Sequence, residues 1–241
     1  MEIVENLIKI SKIIPEHVLL VAVSKTKPIN SIKSAYVHGH RDFGENKVQE
    51  MVEKHDSLPK DINWHMIGHL QRNKVKFIAP FVNLIHSVDS YRLLSEINKQ
   101  GFKNNRVINI LVQIDISNDN TKFGFTYSEF DELIKLNKLK SLKNIKLKGM
   151  MGMASYTTDL SLIEREFNDL NNYFKDADSM DDDGLHPSDT TGKSKYFRTS
   201  DSINPKSNYF EIETTHSWVG SHYRCDCWIS WRNRRTVHGA I

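Results

Sequence analysis

The chain alternates apolar runs with stretches of helical period. Ile3, Leu7, Ile10 and Ile14 recur at helical spacing, which predicts an amphipathic helix at the N-terminus. HVLLVAVSK then runs apolar without alternation, the pattern of a strand covered on both faces, as in parallel sheets. Pro28 is a favoured first helical residue, and Ile29, Ile32, Ala35 and Tyr36 keep helical spacing up to Gly39. The cadence then continues. RDFGEN, INWHMIG, VNLIHSVDS, VINILVQIDIS and IKLKGMMGMAS each read as a strand with its turn. Between and after them come a helix carrying Val48, Met51 and Val52, a helical turn in QRNKVKFIAP, and YRLLSEINKQ with Asp89 or Ser90 as its cap. TYSEFDELIKLNKL follows, with Thr126 as cap and Glu129 three residues on, and then LSLIEREFNDLNNYFK.

Six strand-then-helix units in series imply a parallel sheet with helices outside it. An open doubly wound sheet wants a glycine-rich turn after its first strand. Here that turn is SKTKP, without glycine, so the expectation is an α/β fold of the (β/α)8 TIM-barrel type. The pattern fails near residue 180. DDDGLHPSDTTGKSKYFRTSDSINPKSN is polar and without period. HSWVGSHYRCDCWISWRNRRTVHGAI then holds three of the four tryptophans, both cysteines and a cluster of arginines. A barrel of this type closes with eight strands. Strands seven and eight are not recognisable, so the expected division is an incomplete barrel over residues 1–178 and an unstructured tail over 179–241. Six strands alone would leave apolar sheet edges exposed, and such edges invite aggregation.

Composition changes this picture little. The chain has 241 residues, 39% hydrophobic and 26% charged, with a formal net charge of +3 that does not by itself suggest nucleic acid. No apolar run approaches the roughly 20 residues that span a bilayer. MEIVENLIKISKII carries acids and lysines among its apolar residues, unlike a secretory signal, so a cytoplasmic protein is expected. Cys225 and Cys227 are spaced too tightly for an ordinary disulfide and are too few for a four-ligand zinc site.

In a barrel, chemistry collects where strands end and loops begin. Lys25 ends the first strand, Asn46 follows the second, His65 lies in the third and Ser87 ends the fourth. Lys122 lies in the loop after the fifth, and Met150, Gly152 and Met153 end the sixth. Desolvation disfavours an ammonium, and a neutral lysine amine attacks carbonyls, so Schiff-base chemistry with an aldehyde is the natural reading of a lysine at a barrel mouth. Pyridoxal 5′-phosphate (PLP) is the commonest aldehyde cofactor held this way. The plainer readings stand beside it. Lys25 and Lys27 also read as solvated loop lysines, Asn46 as a helix cap, His65 and His69 as hydrogen-bonded structural histidines, and MGM as core packing.

VAVSKTKP, FGENKVQE, WHMIGHLQRNK, HSVDS and KGMMGM, in that order, resemble the PLP homeostasis proteins (the YggS/PROSC family), which are similar to the N-terminal barrel of alanine racemase, the type III fold of PLP proteins. The resemblance runs to about residue 175. It implies PLP bound to Lys25 as a Schiff base, with Asn46, His65 and Ser87 near the cofactor and Lys122 without an assigned role. It further implies a carrier without turnover, a monomer, and PLP-dependent apo-enzymes as recipients. The resemblance stops where a seventh-strand motif like LSMGMSxDY and an eighth like VRIGSxIFG are due, the motifs expected to hold the cofactor phosphate and to face the pyridine nitrogen. A change of reading frame in the coding sequence near Glu211 to Thr215 accounts for the tail's composition and for the missing motifs together. Weak or absent PLP binding is the consequence expected of the chain as it stands. A racemase reading is the alternative; the related racemases add a β-rich domain and a tyrosine base, which the tail does not resemble. A nucleic-acid reading of the Trp- and Arg-rich tail is a third.

Overall fold

The computed structural model describes residues 2–14, 18–117, 123–179, 194–196 and 227–232. Helix α1 (Glu2–Ile13) precedes β1 (Val18–Val23), and the units then follow as α2 (Ile29–Val37), β2 (Asp42–Glu45), α3 (Val48–Ser57), β3 (Asn63–Met66) and the short α4 (Val75–Ile78). They continue with β4 (Leu84–Val88), α5 (Tyr91–Lys103), β5 (Ile108–Ile114), α6 (Tyr127–Lys135), β6 (Ile145–Gly152) and α7 (Leu160–Ser179). Strands β1 to β6 lie side by side in chain order and pair in parallel throughout. All six therefore end at one rim of a curved sheet, the arc of a (β/α) barrel.

Local chemistry explains the boundaries. Pro28 is the extended residue that opens α2. Ser90 caps α5, its side chain accepting from the Leu93 amide. Thr126 and Glu129 form a reciprocal capping box on α6, which satisfies two amides the helix cannot satisfy itself. The main core lies between sheet and helices, with Phe43, Trp64, Met66, Ile85, Ile110 and Val112 meeting Ile32, Met51, Leu94, Ile97 and Phe130. The opposite face of the sheet carries two smaller apolar groups, Val21 with Ile67 and Leu84 with Leu111 and Met151. That double coverage is why the strands read as continuous apolar runs.

The tail departs from expectation in one respect. It contributes two strands, β7 (Ser194–Tyr196) and β8 (Cys227–Arg232). β8 pairs antiparallel with β1, with Val18 opposite Trp231 and Ala22 opposite Cys227, and β7 pairs antiparallel with β8. The stretch CWISWR is short, aromatic and β-branched, hidden in the sequence by its charged surroundings. β1 otherwise presents an unpaired edge, and an added strand satisfies its backbone groups. Its direction is the reverse of a barrel's eighth strand, which runs parallel to the first. β7 in turn approaches β6, so the sheet curves round toward a ring. The remainder of 179–241, including Glu211 to Thr215, lies outside the described residues apart from the end of α7.

Candidate active site at the strand rim

The rim is built from four consecutive strand ends. Lys25 lies two residues beyond β1, in a turn closed by a hydrogen bond from the Lys27 amide to the Ser24 carbonyl at 3.0 Å. The turn's second central residue, Thr26, has φ of 61°, in the left-handed region that a β-branched residue rarely adopts. Such a conformation persists only where its surroundings over-determine it.

Those surroundings come from β2 and α3. Lys54, on α3, is buried and donates to three acceptors: the Ser24 carbonyl at 2.7 Å, Glu45 Oε1 at 2.8 Å and Glu50 Oε1 at 2.7 Å. An ammonium has three protons, and all are used. Ser24 Oγ donates to Glu45 Oε1 at 2.6 Å, and the Thr26 amide donates to Glu50 Oε1 at 2.6 Å. Glu45 is fully buried, and burial pushes its carboxyl above the usual carboxylate range against the pull of Lys54 and Ser24. Glu50 lies below that range, because the Lys54 ammonium and the Thr26 amide outweigh its partial burial. Glu45 Oε2 is buried without a hydrogen-bond partner.

Asn46 follows β2 directly, and its side-chain Oδ1 is also buried without a partner. Gly68, beyond β3, comes so close that a Cβ there would sit 2.5 Å from the Asn46 carbonyl oxygen, so only glycine fits. The Gly68 carbonyl accepts from Ser87 Oγ, which joins the β4 end to the same rim. His69 Nδ1 lies 3.1 Å from Asp89 Oδ2 and its ring stacks on Phe123 at 4.1 Å between centroids, which places a half-exposed imidazole and a carboxylate on the rim as well. Lys25, Asn46 and Ser87 are thus brought to one end of the sheet.

His65 sits a layer below the rim, level with Gly44 and Leu84. Its ring is buried, with Nε2 3.1 Å from Asp42 Oδ1 at the start of β2 and Nδ1 2.9 Å from His86 Nε2. Both ring nitrogens are engaged by protein groups. Met150 packs in the outer core and Gly152 lets Ile116 and Leu170 close onto β6, so the MGM stretch serves packing. Lys122 lies outside the described residues. Arg232 stands opposite Ser194 and beyond Val18, at the end of β1 remote from Lys25. Among the described residues no group of three or more metal-binding side chains is present, and no helix is long and apolar enough to cross a membrane.

Sequence reasoning passed over Glu45, Lys54, Gly68 and His86. Glu50 and Lys54 carried a signal, an acid and a base four residues apart on a helix, but that spacing usually marks a solvated surface pair.

Comparison with known proteins bears on the family and the fold. The family profile of the alanine racemase N-terminal domain matches residues 2–193. The pyridoxal phosphate homeostasis protein of Pasteurella multocida is 35% identical over 163 residues, 66% of this chain and 68% of the relative. That of Escherichia coli is 41% identical over 123 residues, and there the match spans only 53% of the relative's length. PipY of Synechococcus elongatus, solved without and with PLP, superposes with TM-scores of 0.68 and 0.67 at 30% and 28% identity, covering 74% of this chain and 83% and 82% of PipY. Alanine racemase of Clostridium difficile shares the fold, with a TM-score of 0.63 at 16% identity over 81% of this chain and 50% of the racemase. The chain belongs to the alanine racemase N-terminal domain family and, within it, to the pyridoxal phosphate homeostasis proteins.

Proposed function

We propose that the protein binds PLP through Lys25 and serves intracellular PLP homeostasis as a carrier without a turnover reaction of its own. The observation that carries this reading is the position of Lys25. It occupies a strained turn, tied down on both sides, at the strand rim of a chain 28% identical to a PipY solved with PLP bound. The residues present fit the pyridoxal end of the cofactor. Lys25 brings an amine to the rim, Asn46 brings a buried carbonyl oxygen still lacking a donor, and Ser87 anchors the loop that packs on Asn46. Bound PLP supplies an aldehyde electrophile and an electron-withdrawing ring. The protein's part is to present one amine, orient the ring and keep the neighbouring Lys54 ammonium fully hydrogen-bonded and out of competition.

The phosphate end is less well provided. The sequence lacks the serine, glycine and arginine motifs expected on strands seven and eight, and β8 carries Arg232 to the far end of β1. Binding is therefore weaker than in a complete barrel, and a shift of reading frame before the last segment is the simplest origin of that loss. A monomer, a cytoplasmic setting and PLP-dependent apo-enzymes as recipients complete the reading. Titration with PLP tests it. A near-ultraviolet to visible absorbance change that saturates and is absent in Lys25→Ala supports the reading. An unchanged response in Lys25→Ala, or sustained production of D-alanine from L-alanine, overturns it.

A further inference from the structure

We propose that Lys54, together with Glu45 and Glu50, is a positioning device that selects Lys25 over its neighbour Lys27 as the reactive amine, an inference that rests on the reading of Lys25 as the PLP anchor. Two lysines stand in the stretch Ser24 to Pro28, separated only by Thr26. Flexible side chains on a flexible turn would offer both amines to an aldehyde. The turn is held instead at three points. Lys54 Nζ grips the Ser24 carbonyl, the same oxygen that accepts from the Lys27 amide and closes the turn. Glu45 holds the Ser24 hydroxyl. Glu50 holds the Thr26 amide, the group whose direction is set by the positive φ at that residue.

The three side chains are themselves locked together. Glu45 is fully buried and Lys54 is 5% exposed. They belong to β2 and α3, rigid elements, so the turn inherits their position. A left-handed threonine is strained and relaxes when its restraints are removed. Relaxation would redirect the Lys25–Thr26 peptide and exchange a single presented amine for two loosely presented ones. The clamp makes no contact with a cofactor in this account. It acts through the backbone on either side of Lys25.

The test compares the unmodified chain with Lys54→Met, with Glu50→Ala at a partly exposed position, and with Ile97→Ala, a core substitution remote from the turn. Each is incubated with PLP, reduced with borohydride and peptide-mapped for label at Lys25 and Lys27, and the Thr26 amide is followed by hydrogen exchange. The expected result is faster Thr26 exchange and a Lys25-to-Lys27 labelling ratio lowered about tenfold in Glu50→Ala and Lys54→Met, with the ratio unchanged in Ile97→Ala. An unchanged ratio in Glu50→Ala, or an equal fall in Ile97→Ala, overturns the inference while leaving Lys25 as anchor. No label at Lys25 in the unmodified chain removes the anchor reading itself, and the inference with it.

Discussion

β1 meets two different environments. At its C-terminal end it enters a turn whose residues on either side of Lys25 are each bound by side chains of β2 and α3. Along its outer edge it pairs with β8, a strand of the tail running in the opposite sense. The first environment arises from successive strand-helix units, in which neighbouring units position each other's strand ends. The second arises from edge satisfaction alone. An added strand completes the backbone hydrogen bonds of β1 whichever way it runs, but only a parallel strand would deliver its C-terminal residues to the rim. Covering an edge and building half of a binding cup are therefore separable, and in this chain they are separated.

Substitutions at the rim should be far more costly than changes along the β8 edge. The largest effect is expected of Lys54→Met. It leaves a buried carboxylate without its counter-charge, a loss of about 3–5 kcal/mol by denaturant unfolding. Gly68→Ala comes next. A methyl group cannot fit against the Asn46 backbone, so overpacking should cost about 1–3 kcal/mol and weaken the PLP absorbance change at the same time. On the phosphate side the expectation is a small difference. PLP and pyridoxal should bind with affinities within about tenfold of each other, because even one or two charge-assisted hydrogen bonds to phosphate would exceed that. A strong preference for PLP by competition titration would mean that the tail does supply a phosphate site.

Thr26→Gly removes the left-handed penalty and adds unfolded-state entropy, so stability should change by no more than about 1 kcal/mol, while Thr26 backbone exchange quickens. pH dependence gives the finest discrimination. Glu45 binds its proton more tightly folded than unfolded, so its contribution is present at acid pH and is lost as pH rises from the ordinary carboxylate range through its raised folded value. Glu50 acts with the opposite sign at lower pH, where protonation removes a stabilising charge. Thermal melts of Glu45→Gln should lack the first slope and keep the second.

Much of the fold was legible in the sequence, because strands covered on both faces and amphipathic helices leave different periods. The caps at Ser90 and Thr126 were visible for the same local reason. β8 was not, since CWISWR is too short for a period and sits among charged residues. At the rim, the spacing of strand ends singled out Lys25, Asn46 and Ser87, which share one end of the sheet. His65 was singled out by its strand, but its depth was not readable. Nothing in WHMIGH reveals that Asp42 and His86 occupy both ring nitrogens. Lys54 was hidden because a lysine paired with a glutamate on a helix looks solvated. Only the tertiary approach of α3 to the β1 turn makes it buried and saturated.

The central claim is that one lysine, Lys25, anchors PLP. Borohydride reduction of the full chain with PLP, followed by peptide mapping, tests it most directly. Label is expected to concentrate on the peptide containing Lys25 and to be absent from it in Lys25→Ala. Label spread evenly over surface lysines, or centred on any lysine other than Lys25, would contradict it.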